Sequence, residues 1–206
     1  MKLIWRGHSC FILEHEGRRI VFDPFKPGSV PGLKDVHETA DMVICSHEHS
    51  DHGYAQAVTV PADADPSVFK VTQLDIPHDD AEGTLRGMNK ITIVEAGGFK
   101  IAHFGDTGCE LTAEQKAALA GLDAAMVPIG GFYTIDAAQA AAMVKELAPH
   151  IVIPMHYRSD RFGFDVIGTL DQFTDCFDPA QVTILDTDTV EIEKGDGLKV
   201  VVPAYL

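Results

Sequence analysis

Between positions 47 and 52 the chain reads His47-Glu48-His49-Ser50-Asp51-His52, three imidazoles and two carboxylates in six consecutive residues. They follow closely on the apolar run Met42-Val43-Ile44. An apolar run that ends in a dense polar cluster reads as a buried strand delivering side chains to a site at its end. Burying polar groups without partners is costly, so folding alone gives little reason to set His47, His49, Asp51 and His52 side by side. Imidazole and carboxylate together are the ligand set of zinc, iron or manganese. The helical protease pattern H-E-x-x-H needs a histidine where Asp51 stands, so that class is excluded. In an extended or turning segment, residues two apart point to one side. His47 and His49 can then grip one ion, while Asp51 and His52, past the bend, turn to a second.

Two ions need further ligands, and these are expected at the ends of later strands, where the same sheet edge recurs. His78 follows Leu74-Asp75-Ile76-Pro77 and suits the ion of His47 and His49. Asp106 ends the run Phe99 to Gly105 and can bridge both ions through its two oxygens. His156 ends Ile151 to Met155 and suits the ion of Asp51 and His52. His8, in the turn Gly7-His8-Ser9, either lines the site or is a turn histidine bonded to backbone. His103 is expected between layers and not as a ligand, His15 and His37 at the surface, and His150 as structural.

The ordered set His47-x-His49-x-Asp51-His52, His78, Gly105-Asp106-Thr107-Gly108 and Pro154-Met155-His156 resembles the ligand set of metallo-β-lactamase fold hydrolases. The opening Trp5-Arg6-Gly7-His8-Ser9-Cys10-Phe11, with Asp23-Pro24 after it, is similar to one branch. That branch contains ascorbate-6-phosphate lactonase-like and N-acylphosphatidylethanolamine phospholipase D-like proteins. The resemblance runs from Trp5 to the final strands. It implies a four-layer αββα sandwich with a dimetal site at one edge of the two sheets.

The pattern along the chain suits an α+β layered fold by itself. Short strands are expected at Lys2–Trp5, Cys10–Glu14 and Arg18–Phe22, with a turn at Glu16-Gly17. Further strands are expected at 41–45, 58–61, 68–71, 72–76, and on either side of Gly97-Gly98. Beyond residue 110, helices starting at Thr112, Asp136 and Thr169 alternate with strands at 123–128, 151–154, 182–185, 189–193 and 198–202. The proline- and glycine-rich stretch Pro24 to Val36 is expected as a flap.

A chain of 206 residues with 46% apolar content suits one domain over 1–206 with a sizeable core. Its net charge of −15 argues against nucleic acid or an anionic membrane as the main partner. It does not exclude a small anionic substrate, because bound cations reverse the local field. Four widely spaced cysteines without a C-x-x-C pair read as reduced thiols, and the early charge at Lys2 is unlike a signal peptide, so the expected setting is cytoplasmic. A homo-oligomer is left open.

The expected activity is hydrolysis of an ester, lactone or phosphodiester of a small molecule. Two divalent ions, zinc first with manganese or iron as alternatives, would hold a hydroxide between them. Asp51 is expected both to ligate and to steer the nucleophile. Tyr133, on the loop Ile129 to Thr134, and Arg158, after His156, are expected at the substrate. Other readings of the same ligands are a di-iron redox protein or a non-catalytic metal sensor.

Overall fold

The computed structural model describes residues 1–206. In chain order the strands are β1 (Lys2–Gly7), β2 (Cys10–His15), β3 (Arg18–Phe22), β4 (Glu38–Thr39), β5 (Met42–Ile44), β6 (Val58–Thr59), β7 (Lys70–Pro77), β8 (Met88–Ala96) and β9 (Phe99–His103). There follow α1 (Ala113–Ala118), β10 (Ala124–Pro128), α2 (Ala137–Leu147), β11 (Ile151–Met155), α3 (Leu170–Thr174), β12 (Val182–Ile184), β13 (Thr189–Glu191) and β14 (Lys199–Val202). The strands expected at 68–71 and 72–76 are one element, β7, because nothing between Val71 and Thr72 breaks the chain.

The first sheet has the order β13-β1-β2-β3-β5, and the second β12-β14-β11-β10-β9-β8-β7. The first is antiparallel except for the β3–β5 pair. In the second, β7, β8 and β9 form an antiparallel meander, and β9 to β12 run parallel. Parallel neighbours need crossovers, and α1 and α2 supply those between β9, β10 and β11. Both helices start on capping boxes, Thr112 with Gln115 and Asp136 with Gln139.

The main core lies between the two sheets. Leu3, Trp5, Phe11, Leu13, Ile20 and Phe22 of the first sheet join Ile91, Ile93, Ile101, Met126 and Ile153 of the second in one buried cluster. The intervening residues Ile12 and Val21 point the other way, as the strand period of two requires, and pack with Phe25, Val30 and Val36. The segment expected as a flap is therefore a packed cover on the outer face of the first sheet. No helix covers that face: Pro24, Pro27 and Pro31 prevent a continuous helical ladder there. The fold class is as expected, with irregular chain in place of one outer helical layer.

Candidate metal centre

The site gathers where the β1–β2 turn meets the ends of β5, β7, β9 and β11. After β5 the chain coils tightly, with the backbone N–H groups of His52 and Gly53 both donating to the His49 carbonyl. The packed cover braces this coil from behind, since the Lys26 N–H donates to the Ser50 carbonyl at 2.8 Å.

Three overlapping groups of side chains stand within ion-binding distance of one another. One is His47, His49 and His78; another is His8, Asp51, His52 and His156; the third, His47, His52 and Asp106, joins them. Oδ2 of Asp106 lies 3.2 Å from His52 Nε2, 3.3 Å from His78 Nε2 and 3.3 Å from His156 Nε2. One carboxylate oxygen therefore faces both histidine groups.

Buried acceptors and donors fix which ring nitrogen faces inward. His52 Nδ1 donates to Asp23 Oδ2 at 2.8 Å, and the Ser46 hydroxyl donates to the same oxygen at 2.6 Å. Because that hydroxyl proton is committed, Ser46 Oγ accepts from His47 Nδ1 at 3.0 Å. Asp23 thus presents the Nε2 lone pairs of both His47 and His52 to the centre, the usual service of a carboxylate behind a metal-binding imidazole. Asn89 does the same for Asp106: its Oδ1 accepts the Asp106 N–H at 3.0 Å while its Nδ2 donates to the Phe104 carbonyl.

The donor set fits metal ions. His52 Nε2, Asp106 Oδ1 and both ring nitrogens of His156 are buried without a hydrogen-bond partner, a costly state that a cation relieves. Burial, with His52 adding to it, pushes His47 down to about 3, and burial with His156 nearby pushes His8 down to about 4. Both rings are therefore neutral and ready to ligate at ordinary pH. Burial opposes ionisation of Asp106, yet His156 and His52 outweigh it and hold the carboxyl well below its usual range.

The chain packs closely to achieve this. A Cβ on Gly108 would stand 2.2 Å from the His78 carbonyl carbon, so only glycine lets the Asp106 turn lie against the His78 strand end. Gly130 likewise abuts the His156 carbonyl, at 2.2 Å from its would-be Cβ. The loop it opens carries Tyr133 into a hollow of about 250 Å³ over the cluster, beside His49, His78, Asp106, Arg86 and Phe164.

All seven expected ligands are brought together. His8 joins them more closely than a turn histidine would: its Nε2 lies 3.3 Å from Asp51 Oδ2, and its ring centroid is 4.0 Å from that of His156. Arg158 is not brought to the cluster; its Nε donates to the Ile167 carbonyl at 2.8 Å and it faces a different hollow. His103 lies between the sheets, stacked on Phe22 and bonded to the Ser9 carbonyl at 2.8 Å. His150 bonds the Gly197 carbonyl, His37 is exposed, and His15 is half-buried rather than at the surface. Sequence reasoning missed Asp23, Ser46, Asn89 and Arg86. Asp23 alone carried a signal, a carboxylate set between the apolar Ile20-Val21-Phe22 and Phe25.

Two facing mixed sheets with a histidine–aspartate cluster at their strand ends define a metal-binding protein of the metallo-β-lactamase fold. Residues 2–156 match the family of the beta-lactamase superfamily domain. A UPF0173 metal-dependent hydrolase of Thermoplasma acidophilum is 30% identical over 81% of this chain and 86% of its own. One from Caldivirga maquilingensis is 29% identical over 76% of this chain and 82% of its own. The crystal structure of a metallo-β-lactamase superfamily protein from Thermotoga maritima superposes with a TM-score of 0.78 at 32% identity, covering 98% of this chain and 97% of that one. The chain belongs to the beta-lactamase superfamily and, within it, to the UPF0173 metal-dependent hydrolases. No helix is long and apolar enough to cross a membrane.

Proposed function

We propose that residues 1–206 form one hydrolase domain holding two divalent ions, zinc first, and cleaving an ester, lactone or phosphodiester of a small molecule. The observation that carries this reading is Asp106 Oδ2, which lies within 3.2–3.3 Å of Nε2 atoms from both histidine groups. His47, His49 and His78 would hold one ion, Asp51, His52 and His156 the other, with Asp106 shared. When bound, such ions supply Lewis acidity and lower the pKa of a water from about 15.7 toward about 7.

The protein's own groups do the rest. Asp51, half-buried at the rim, steers a water toward the hollow and accepts its proton, while His8 holds the Asp51 carboxylate from behind. Tyr133 and Phe164 wall the hollow and exclude bulk water from the reacting bond. The net charge of −15 supports a small-molecule substrate over nucleic acid, and the four free cysteines support a reducing, cytoplasmic setting. The opening Trp5 to Phe11 supports kinship with the lactonase-like and phospholipase D-like branch. In the structure the Trp5 indole N–H donates to the His8 carbonyl, which ties that stretch to the site.

Elemental analysis of protein purified without chelator should return near two equivalents of divalent metal. Asp106→Ala and His156→Ala should each lose metal and hydrolysis of generic ester and phosphodiester substrates, with circular dichroism unchanged. Wild-type metal content in either variant would remove that residue from the centre. Iron alone, in coloured protein, would favour redox chemistry instead.

A further inference from the structure

The loop after His78 is closed by its own carboxylate. Asp79 is buried, and its two oxygens accept the backbone N–H groups of Ala81, Gly83, Leu85 and Arg86 at 2.9, 2.9, 3.0 and 2.7 Å. The Gly87 carbonyl then accepts the His78 N–H at 3.0 Å, so residues 79–87 return to the ligand they left. No apolar contact explains the effort, for Leu85 at the tip is 70% exposed. What the loop places is the Arg86 side chain.

Arg86 differs from the other arginines near the core. Arg6, Arg18 and Arg19 pair with carboxylates, and Arg158 bonds a carbonyl. The Arg86 guanidinium has no such partner; it lies 5.7 Å from the centroid of the Tyr133 ring, at the hollow over His49, His78 and Asp106. Stacking on an aromatic face positions a guanidinium while leaving its N–H donors free. A planar fork of free donors matches a carboxylate or phosphate in two parallel bonds. The same residue borders a second hollow of about 380 Å³, lined also by Lys90 and Glu48, so a second cation stands near Arg86 in a chain of net charge −15.

We propose that Arg86 sets substrate specificity by receiving an anionic oxygen group, carboxylate or phosphate, carried by the substrate whose bond is cleaved at the metal centre. The substrates are then small anionic esters or phosphoesters rather than neutral ones. This rests on the hydrolase reading above. The Asp79 loop keeps Arg86 in place beforehand, so little order is lost when the anion arrives.

The test compares wild type, Arg86→Gln and Arg86→Lys as metal-loaded proteins. Metal content is measured first and is expected to be equal in all three. Calorimetric binding of inorganic phosphate should weaken about tenfold or more in Arg86→Gln and recover in part in Arg86→Lys. Hydrolysis of 4-nitrophenyl acetate and of mono-4-nitrophenyl succinate separates the charge from the scissile bond. Arg86→Gln should raise KM far more for the succinate ester than for the acetate. Phosphate binding within about twofold of wild type in Arg86→Gln would overturn the proposal. So would loss of metal in that variant, which would make Arg86 a support of the loop. If wild type cleaves neither ester, the hydrolase reading fails for these bonds, while the phosphate arm still decides Arg86.

Discussion

Replacing Asp23 with asparagine separates the holding of the ligands from the ligands themselves. Asp23 lies behind the centre, 1% exposed, bonded to His52 Nδ1 and to the Ser46 hydroxyl and N–H. Its backbone is left-handed, with φ of 44°, which asparagine tolerates better than alanine, so the turn into Pro24 survives. Asparagine keeps the size but loses the charge, and its amide N–H₂ meets groups that donate, the His52 Nδ1–H and the Ser46 hydroxyl. Facing His52, it would drive the ring proton to Nε2 and close the lone pair that points at Asp106. Loss of a carboxylate behind a ligating imidazole costs about 10–100-fold in metal affinity, or about 1.4–2.7 kcal/mol. The ion on the His52 side should show the larger loss, because His47 is reached only through Ser46. Without metal, losing a charge-assisted bond worth about 1.5–3 kcal/mol should lower Tm by about 3–12 °C. The assay is competition for zinc against a chelating dye, with a thermal melt of the metal-free protein. Wild-type zinc affinity in a folded Asp23→Asn protein would refute the reasoning that Asp23 sets the tautomer.

Gly108→Ala should cost several kcal/mol or shift the Asp106 turn, because its Cβ would lie 2.2 Å from the His78 carbonyl carbon; the check is metal stoichiometry beside Tm. Wild-type values for both would show that the two strand ends separate freely. The metal-free protein should also weaken as pH falls from about 7 to about 5. His8 and His47, held down to about 4 and about 3 mainly by burial, stay neutral there while their unfolded counterparts protonate near about 6.5. Each costs about 2 kcal/mol by pH 5, on about 1.4 kcal/mol per unit. His52 works in the opposite sense: burial opposes its charge, but Asp106 and Asp23 outweigh that and raise it, so most of its stabilisation is already present at pH 7 and it adds no more than about 1 kcal/mol by pH 5. A net loss of about 3 kcal/mol remains from these three rings, and a flat or rising Tm over that range would contradict the buried, neutral state of His8 and His47.

The candidate ligands were legible because metal chemistry restricts residue type and spacing together. His47 to His52 stand close in sequence, and His78, Asp106 and His156 each come after an apolar run that reads as a strand. The groups that orient them were not legible. Asn89 acts through one amide on Asp106, and any polar residue on β8 reads alike in one dimension. Arg158, next to a ligand in sequence, turns to the Ile167 carbonyl, while Arg86, 20 residues upstream of Asp106, reaches the hollow. Proximity along the chain was a poor guide because positive-φ turns such as that at His156 redirect the residues immediately C-terminal to them. The cover from Pro24 to Val36 misled for a related reason. Its prolines and glycines signal irregular chain, but only the alternation of Ile12 and Val21 against Phe11 and Phe22 shows which face it packs on.

Local sequence by itself indicated most of the strands, the capped helices and the seven candidate donor side chains, since each arises from the side chains of a few adjacent residues. The tertiary structure alone decided that β13 returns to the first sheet while β12 and β14 join the second. It also decided that Asp23 commits two rings, and that Arg86 rather than Arg158 faces the centre. Those outcomes depend on contacts between residues tens of positions apart, where packing and the pairing of buried polar groups choose among arrangements that local pattern leaves equal.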